Sequence, residues 1–596
     1  MASYRAPLRD MQFLLEEVFD TGRLFSMLPD GVELTSDLTG VILQEAARIS
    51  EEVLAPINRT GDEEGCRFSE GQVTTPKGFP EAFKTFAEGG WVGLGGDPAY
   101  GGQGMPKTLS VLVEEMIMAA NCSFALYPIL TSGATMALRH HGTDVLKKRF
   151  MPSLNSGRWT GTMCLTEAHA GTDLGLLKTR AEPSEDGSYR ISGTKIFITG
   201  GEHDLTENIV HLVLARMKGA PSGSHGLTMF VIPKKQVNEA GHITVDNGVS
   251  CGSIEHKMGI KASSTCVLNF DNATGYLVGE PNEGLACMFT MMNYERLSMG
   301  LQGTGLAENS YQTAVAYARE RLQGRAPPPR ARRSRQTEAD PIIVHPDIRR
   351  MLLTMRANIM AGRALILYVA GKLDTAVYDR DADARADAEK LVALLTPVAK
   401  AWCTDCGYDA CVLGQQVLGG HGYIREWGLE QNVRDARIAQ IYEGTNGVQA
   451  QDLMGRKTVR NRGDLLQVLL GEIDGFLGDT SERPELKEVN GVLLEARRRL
   501  EDITIEIIER ADNDPDEIGA SAYPYLQLMG LVLYGFMWCR MIAAASAAAG
   551  ADDHYYDGIL KTGRFYLNRL MPRYKTLLEE ISHGSGTLMA MKADQF

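Results

Sequence analysis

One carboxylate in this chain sits in a break between two helical patterns, where a base can reach a bound ligand. It is Glu443, in the run Ile441-Tyr442-Glu443-Gly444-Thr445-Asn446-Gly447. Upstream, residues 433–441 carry helical periodicity with Arg434 and Arg437 exposed; downstream, Thr445 or Asn446 serves as N-cap for a helix over 448–456. Either the carboxylate does base chemistry or the segment is a capped kink, and these residues alone leave both open. Other common motifs are missing. No GxGxxG follows a strand, and there is no Walker A loop and no HExxH, so a nucleotide or zinc held in those ways is excluded. The CxxC pair, Cys403-Thr404-Asp405-Cys406, lies in a helical pattern without a second ligand pair and reads as core thiols.

A mainly helical scaffold must position that turn. From residue 8 to about 156 the pattern is helical; between about 161 and 279 the period becomes two, in β-branched and aromatic runs bounded by turn residues. Helical periodicity resumes over 284–322 and continues over 346–378 and 384–413, lengths that pack as a bundle. The Pro-rich basic run 325–335 reads as a solvated insertion, with a phosphate or partner contact as the alternative. Past residue 460 the pattern stays helical, and Leu526, Met529, Leu533 and Met537 form an apolar face that must be buried. The expected fold class is α+β, mainly α. It comprises an N-terminal helical domain (1–158), a β-barrel-like or sandwich middle domain (159–280), a long-helix bundle (281–460, insertion near 323–345) and a C-terminal helical extension (461–596).

With 596 residues, 44% of them hydrophobic, the chain can bury a large core divided among several domains. A net charge of −14 gives no global attraction to nucleic acid or to an anionic membrane. The first residues lack the apolar core of a signal peptide and turn acidic at Glu16 and Glu17, so a cytoplasmic protein is expected. The apolar stretch 528–541 is interrupted by Gly530, Gly535 and Arg540 and falls short of the roughly 20 residues of a membrane span, so none is expected. Ten scattered cysteines point to reduced thiols.

Six segments narrow the reading: Cys164-Leu-Thr-Glu-Ala-His-Ala-Gly-Thr-Asp, Gly193-Thr-Lys-Ile-Phe-Ile-Thr-Gly, Glu295-Arg296-Leu297, Tyr317-Ala-Arg-Glu-Arg321, Gln416-Val-Leu-Gly-Gly-His-Gly-Tyr and Tyr442-Glu443-Gly444-Thr445. In this order and spacing they closely resemble the acyl-CoA dehydrogenase family, over about residues 35–457. The chain length, the segment Pro341-Ile-Ile-Val-His-Pro after the insertion, and the extension resemble the extended bacterial branch named for 3-methylmercaptopropionyl-CoA dehydrogenase. That resemblance implies FAD, an acyl-CoA substrate (3-methylthiopropionyl-CoA or a medium- or long-chain fatty acyl-CoA), and an electron-transferring flavoprotein as acceptor. It implies no metal, no nucleic acid and no membrane. The alternatives are an acyl-CoA oxidase and a non-catalytic, flavin-containing member that binds a macromolecule.

Roles carry over position by position. Thr166 matches the residue bonding the flavin pyrimidine edge, Thr172 the one near the diphosphate and ligand, and Thr199 the threonine beside flavin N5; Phe197 stands where many members have Trp, followed by Ile198. Arg321, Gln416, Gly419 and Gly420 match residues that reach the FAD of a neighbouring subunit, which implies a homodimer, and Thr445 joins the cofactor set. Gln323 and His345-Pro346 depart from the pattern on the adenosine side. Thr172, Asn293, Arg296, Tyr442 and Gly444 are implied on the substrate side, with residues 124–131 at the pocket floor. Glu443 is the implied base for the proton alpha to the thioester, its own N–H and a ribityl hydroxyl polarising the carbonyl while hydride leaves the beta carbon for flavin N5. Burial beneath a ligand would raise its pKa. Glu295 is a second candidate, because the isovaleryl-CoA branch carries its base there. The competing expectation is an exposed or Arg-paired helical residue, since adjacent carboxylates oppose each other's ionisation. In longer members the extension covers the face that a second pair of subunits would occupy, so a dimer is expected rather than a tetramer.

Overall fold

The β-branched runs pair into a seven-stranded sheet. Its strands are β1 (Trp159–Cys164), β2 (Arg180–Pro183), β3 (Tyr189–Thr199), β4 (Asn208–Met217), β5 (Leu227–Pro233), β6 (Val249–Ile254) and β7 (Thr265–Val278). β7 is long enough to serve several partners: residues 265–275 pair with β3, and Tyr276, Leu277 and Val278 pair with β5. Since β3 pairs β2, β2 pairs β4 and β4 pairs β5, the register closes into a barrel, with β1 and β6 as its outer edges. β4 and β5 are buried on both faces, which explains why they read as continuous apolar runs. Val213, Ala215, Phe230 and Ile232 fill the barrel, while Leu212, Leu214, Met229 and Val231 pack on Leu130, Ala134, Phe150 and Met151 of the preceding helices.

The structure, a computed structural model, describes residues 4–28, 34–326, 338–548 and 553–596. These fall into two compact units, Glu45–Ser298 around the barrel and a helical one made of Met1–Gln44 with Met299–Phe596. Of the Pro- and Arg-rich insertion, residues 327–337 lie outside the described residues. Its base is closed by a bridge from Leu322 to Pro341 and by the Ala326 N–H donating to Asp340 Oδ2 (2.8 Å).

In the helical unit, Pro346–Tyr378 packs along Ala382–Leu418, and Asp516–Ala547 lies across both. Leu526, Met529, Leu533 and Met537 are all 0% exposed, so the extension docks on the chain's own bundle. Trp538 Nε1 donates to Ala357 O (3.1 Å) and the Tyr534 hydroxyl to Cys403 Sγ (3.3 Å). As the helical pattern past residue 460 implies, the helix runs through Gly530 and Gly535, whose missing side chains make room for Trp402 and Met571. Among the described residues, two helices are therefore long and apolar enough to cross a membrane, Pro346–Tyr378 and Asp516–Ala547. Their most apolar windows are 78% and 89% buried inside the protein, as in core helices. The first helices join the same unit, where Tyr555 donates to Asp10 Oδ1 (2.8 Å), Tyr556 to Glu17 Oε2 (2.8 Å) and Arg9 to Tyr556 (3.0 Å).

Candidate active site

Glu443 occupies a turn between the 3-10 segment Ile438–Gln440 and the helix Asn446–Gln451, for which Thr445 is the N-cap by position. The helix read over 448–456 thus begins earlier and changes to wider π winding over Asp452–Val459. Glu443 has φ +56 and Gly444 φ +79. A left-handed backbone suits glycine, but in glutamate it costs on the order of 1–3 kcal/mol, so the surroundings must impose it. The Tyr442 hydroxyl donates to Gln302 Oε1 (2.6 Å), and the wholly buried Gln302 donates onward to Asp435 O (3.0 Å). Thr445 Oγ1 donates to Gln440 O (3.1 Å), and Gln449 Nε2 to Gly444 O (3.2 Å). Asn446, buried, accepts from Lys400 Nζ (2.7 Å) and donates to Asp405 Oδ1 (2.7 Å). Tyr442, Glu443, Gly444 and Thr445 are left half-buried. Arg434 and Arg437, expected to be exposed, are also half-buried: Arg434 folds back along its helix to Glu430 (2.9 Å) and Arg437 reaches Gln440 of the following 3-10 segment (2.8 Å).

The glycine-rich turn lies in the same unit. Helix Ala382–Leu418 ends at Gly419 (φ +59), and no atom lies within 4 Å of where a Cβ on Gly419 or Gly420 would be, so bare backbone faces outward beside the exposed Gln416. His421 braces the turn, stacked on Trp427 (4.8 Å between centroids) and hydrogen-bonded at Nδ1 to the Tyr317 hydroxyl (2.9 Å). Arg321 is exposed just past the end of helix Gly284–Glu320. The two departures from the family pattern meet each other: His345 Nε2 donates to Gln323 O (2.7 Å).

In the barrel unit, Phe197 projects from a bulge. Lys195 pairs with Leu268 and Ile198 with Cys266, so Ile196 and Phe197 together oppose Val267. The extra residue re-aims its side chain: Phe197 has φ +59 and is 59% exposed, an unusual state for a large aromatic. Ile198 turns the other way, into the barrel core at 2% exposure, so only its backbone can face a ligand. Thr166 and Thr199 are half-buried, and the Ile196 N–H donates to Thr166 O (2.9 Å), tying their segments together. Thr172 is exposed. An exposed flat ring beside two hydroxyls is a surface that can receive a planar heterocycle.

Glu295 lies in the same unit and is 0% exposed, which overturns the expectation of an exposed helical residue. Helix Gly284–Glu320 turns it onto the Cys122–His141 helix, where Gly133 leaves room for its carboxyl; a Cβ there would collide with Glu295 Oε1. Nearby, Glu114 Oε1 accepts from Lys107 Nζ (2.7 Å) and the Tyr294 hydroxyl (2.8 Å), and Glu114 Oε2 from Ser298 (2.7 Å). Burial, then the Glu114 charge, and further Glu295 hold the Tyr294 hydroxyl well above its usual pKa. Arg296 is buried and donates to the exposed Asn293 (3.4 Å). Residues 124–131, expected at the pocket floor, are wholly buried, Phe124 packing among Phe79, Phe83 and Phe86.

Family models match nearly the whole chain: acyl-CoA dehydrogenase N-terminal domain over 39–158, middle domain over 162–273 and C-terminal domain over 330–457, then an acetyl-CoA dehydrogenase C-terminal-like segment over 469–592. A 3-methylmercaptopropionyl-CoA dehydrogenase from Ruegeria pomeroyi is 40% identical over 572 residues, spanning 96% of each chain. The chain belongs to the acyl-CoA dehydrogenase family. A broad-specificity linear acyl-CoA dehydrogenase from Mycobacterium tuberculosis is 33% identical over the full length of both chains. A solved acyl-CoA dehydrogenase from Bacillus anthracis, complexed with FAD, shares the fold at TM-score 0.75 and 20% identity, covering 98% of this chain and 92% of that one. Members of the family are FAD-dependent oxidoreductases acting on the CH–CH bond of an acyl-CoA.

The barrel unit also carries a concavity of about 820 Å3, bordered by Lys178, Arg180, Glu182, Arg216, Met217 and Lys218. Arg216 is occupied by backbone carbonyls of Gly175 (3.0 Å) and Gly223 (2.9 Å), whereas Lys178, Arg180 and Lys218 are exposed. The sequence reading missed these cations because they come from separate strand ends; the spacing Lys178-Thr-Arg180 was the only local signal. His203, in the loop before β4, and His211, on β4, are pushed down to about 3 by burial and by Lys234, so they stay neutral near pH 7. All ten cysteines are free, Cys403 and Cys406 buried among them, and the described residues contain no group of three or more His, Cys, Asp or Glu that could hold a metal.

Proposed function

We propose that this chain is an FAD-dependent acyl-CoA dehydrogenase that converts an acyl-CoA thioester to its trans-2-enoyl-CoA, with Glu443 taking the alpha proton. The left-handed, cross-braced turn around Glu443 carries this reading, because it spends backbone strain to fix one half-buried carboxylate. Strain of this kind gathers where geometry serves function, and a base must be aimed before its proton affinity matters.

The residues present fit FAD. Phe197 offers an exposed aromatic face with Thr166 and Thr199 beside it, and Gly419 and Gly420 offer bare backbone that a diphosphate can approach. When bound, FAD supplies the acceptor for the hydride that leaves the beta carbon. The protein's own part is to hold the ligands and to move the proton. Glu443 receives it, Tyr442 and Thr445 hold the turn, and Lys178, Arg180 and Lys218 suit the phosphates of a coenzyme A chain.

The substrate is 3-methylthiopropionyl-CoA or a medium- or long-chain fatty acyl-CoA, a range supported by the names of the relatives at 40% and 33% identity. An electron-transferring flavoprotein, a homodimer and a cytoplasmic setting complete the proposal. The test is anaerobic mixing of the flavin-loaded protein with acyl-CoAs from short and 3-methylthiopropionyl to long-chain, following the oxidised flavin band and identifying products by mass spectrometry. Bleaching with a 2-enoyl product supports the reading. No bleaching with any thioester refutes it, and steady hydrogen peroxide in air identifies an oxidase instead.

A further inference from the structure

Lys195 and Glu167 form an ion pair inside the barrel unit, at 0% and 5% exposure. Lys195 Nζ donates to Glu167 Oε1 (2.9 Å) and to Leu165 O (2.9 Å), so one ammonium grips both neighbours of Thr166. Glu167 in turn accepts from the Lys178 N–H (2.8 Å), the Thr179 N–H (3.0 Å) and Thr179 Oγ1 (2.6 Å). Both ends of the segment 167–179, which carries Thr172, are thereby tied to a single carboxylate. On β3, Lys195 is also the last residue in regular register before the bulge that projects Phe197. Burial alone would push the Glu167 carboxyl up, but the Lys195 ammonium and the bonds from Thr179 and Lys178 hold it down at about 2.

A buried ion pair gives little net stability over a well-packed apolar pair of the same size. What it does give is direction, since each charge must be met at a fixed angle and distance. We propose that Lys195 and Glu167 are positioning residues, a clasp that sets Thr166 and the Phe197 bulge at the heights a planar cofactor requires. The inference rests on the flavin reading above for its ligand, but not for its geometry.

Two measurements on the full-length apoprotein separate these. The first is hydrogen–deuterium exchange, comparing wild type with the apolar double variant Lys195→Met/Glu167→Leu and with Glu167→Gln. The amides of Lys178, Thr179 and Ile196 should exchange at least about tenfold faster in the double variant, while β4 and β5 keep their protection and the thermal midpoint stays close to wild type. The second is FAD binding by the same proteins, expected to weaken about tenfold or more in the double variant and less in Glu167→Gln, which can still accept from Thr179. Unchanged exchange at these amides overturns the clasp. Faster exchange with undiminished FAD affinity also overturns it, since the rim would then be ordered to no purpose for the ligand. Should the double variant not fold, Glu167→Gln carries the same comparison. Should wild-type apoprotein take up no FAD, the flavin reading fails, and the exchange data alone decide whether the clasp orders the rim.

Discussion

Phe197 in the barrel unit and Glu443 in the helical unit share a backbone problem and meet it differently. Both are held left-handed, at φ +59 and +56, where side chains are disfavoured. Phe197 is driven there by cross-strand register and backed by a buried ion pair two residues away. Glu443 is held through its neighbours: Tyr442 donates to Gln302, Thr445 to the Gln440 carbonyl, and Gln449 to the Gly444 carbonyl. The difference follows from what each must present. An aromatic face needs a rigid ledge, which register across the sheet supplies, whereas a base needs its carboxylate aimed, which bonds to the flanking residues supply.

The sharpest way to break the comparison is Glu443→Gln, which should keep fold and ligands but lower turnover by roughly 10² to 10⁴-fold. Glu295→Gln should leave turnover close to wild type, and the reverse pattern would move the base to Glu295. Next in size is Gly133→Ala, whose methyl group would collide with Glu295 Oε1; overpacking of this kind costs about 1–3 kcal/mol, readable as a shift in denaturant midpoint. An unshifted midpoint would mean that Glu295 is not confined there.

Acid should separate the two regions. The Glu167 carboxyl titrates at about 2 when folded against 4.5 unperturbed, so its contribution is full above about 4.5 and lost as pH falls through 2. Thermal midpoints measured across that window should fall less steeply in Glu167→Gln than in wild type; parallel curves would contradict the ion pair. Phe197→Gly should relieve strain and raise stability by about 1 kcal/mol while FAD retention drops. If stability falls instead, the ring is a packing element. The smallest effect is expected from Tyr442→Phe, about 1 kcal/mol from the lost bond to Gln302, checked by equilibrium unfolding.

The element pattern and the Glu443 turn were legible in the sequence because both are local: a switch of period marks the strands, and Gly444 with Thr445 marks a helix boundary. The left-handed Phe197 was not, since it depends on which residues of β7 it faces across the sheet. Nor was the pairing of Lys195 with Glu167, because charge complementarity has no signature at that separation. Glu295 looked like a surface helix residue since nothing local says that its helix is buried at Glu295 and over the turns that follow. For the same reason Asp516–Ala547, buried all round, kept no polar stripe from which to judge its length.

The hydrogen bonds from Tyr555 and Tyr556 to Asp10, Glu17 and Arg9 have a consequence during synthesis. Residues 9–17 wait for residues made more than five hundred positions later, and helix Asp516–Ala547 must arrive before Pro346–Tyr378 and Ala382–Leu418 are covered. The barrel unit, a continuous stretch from Glu45 to Ser298, is complete in sequence once Ser298 leaves the ribosome. It should therefore fold while the nascent helical unit still exposes apolar faces, which makes that second, unfinished unit the one a chaperone would hold.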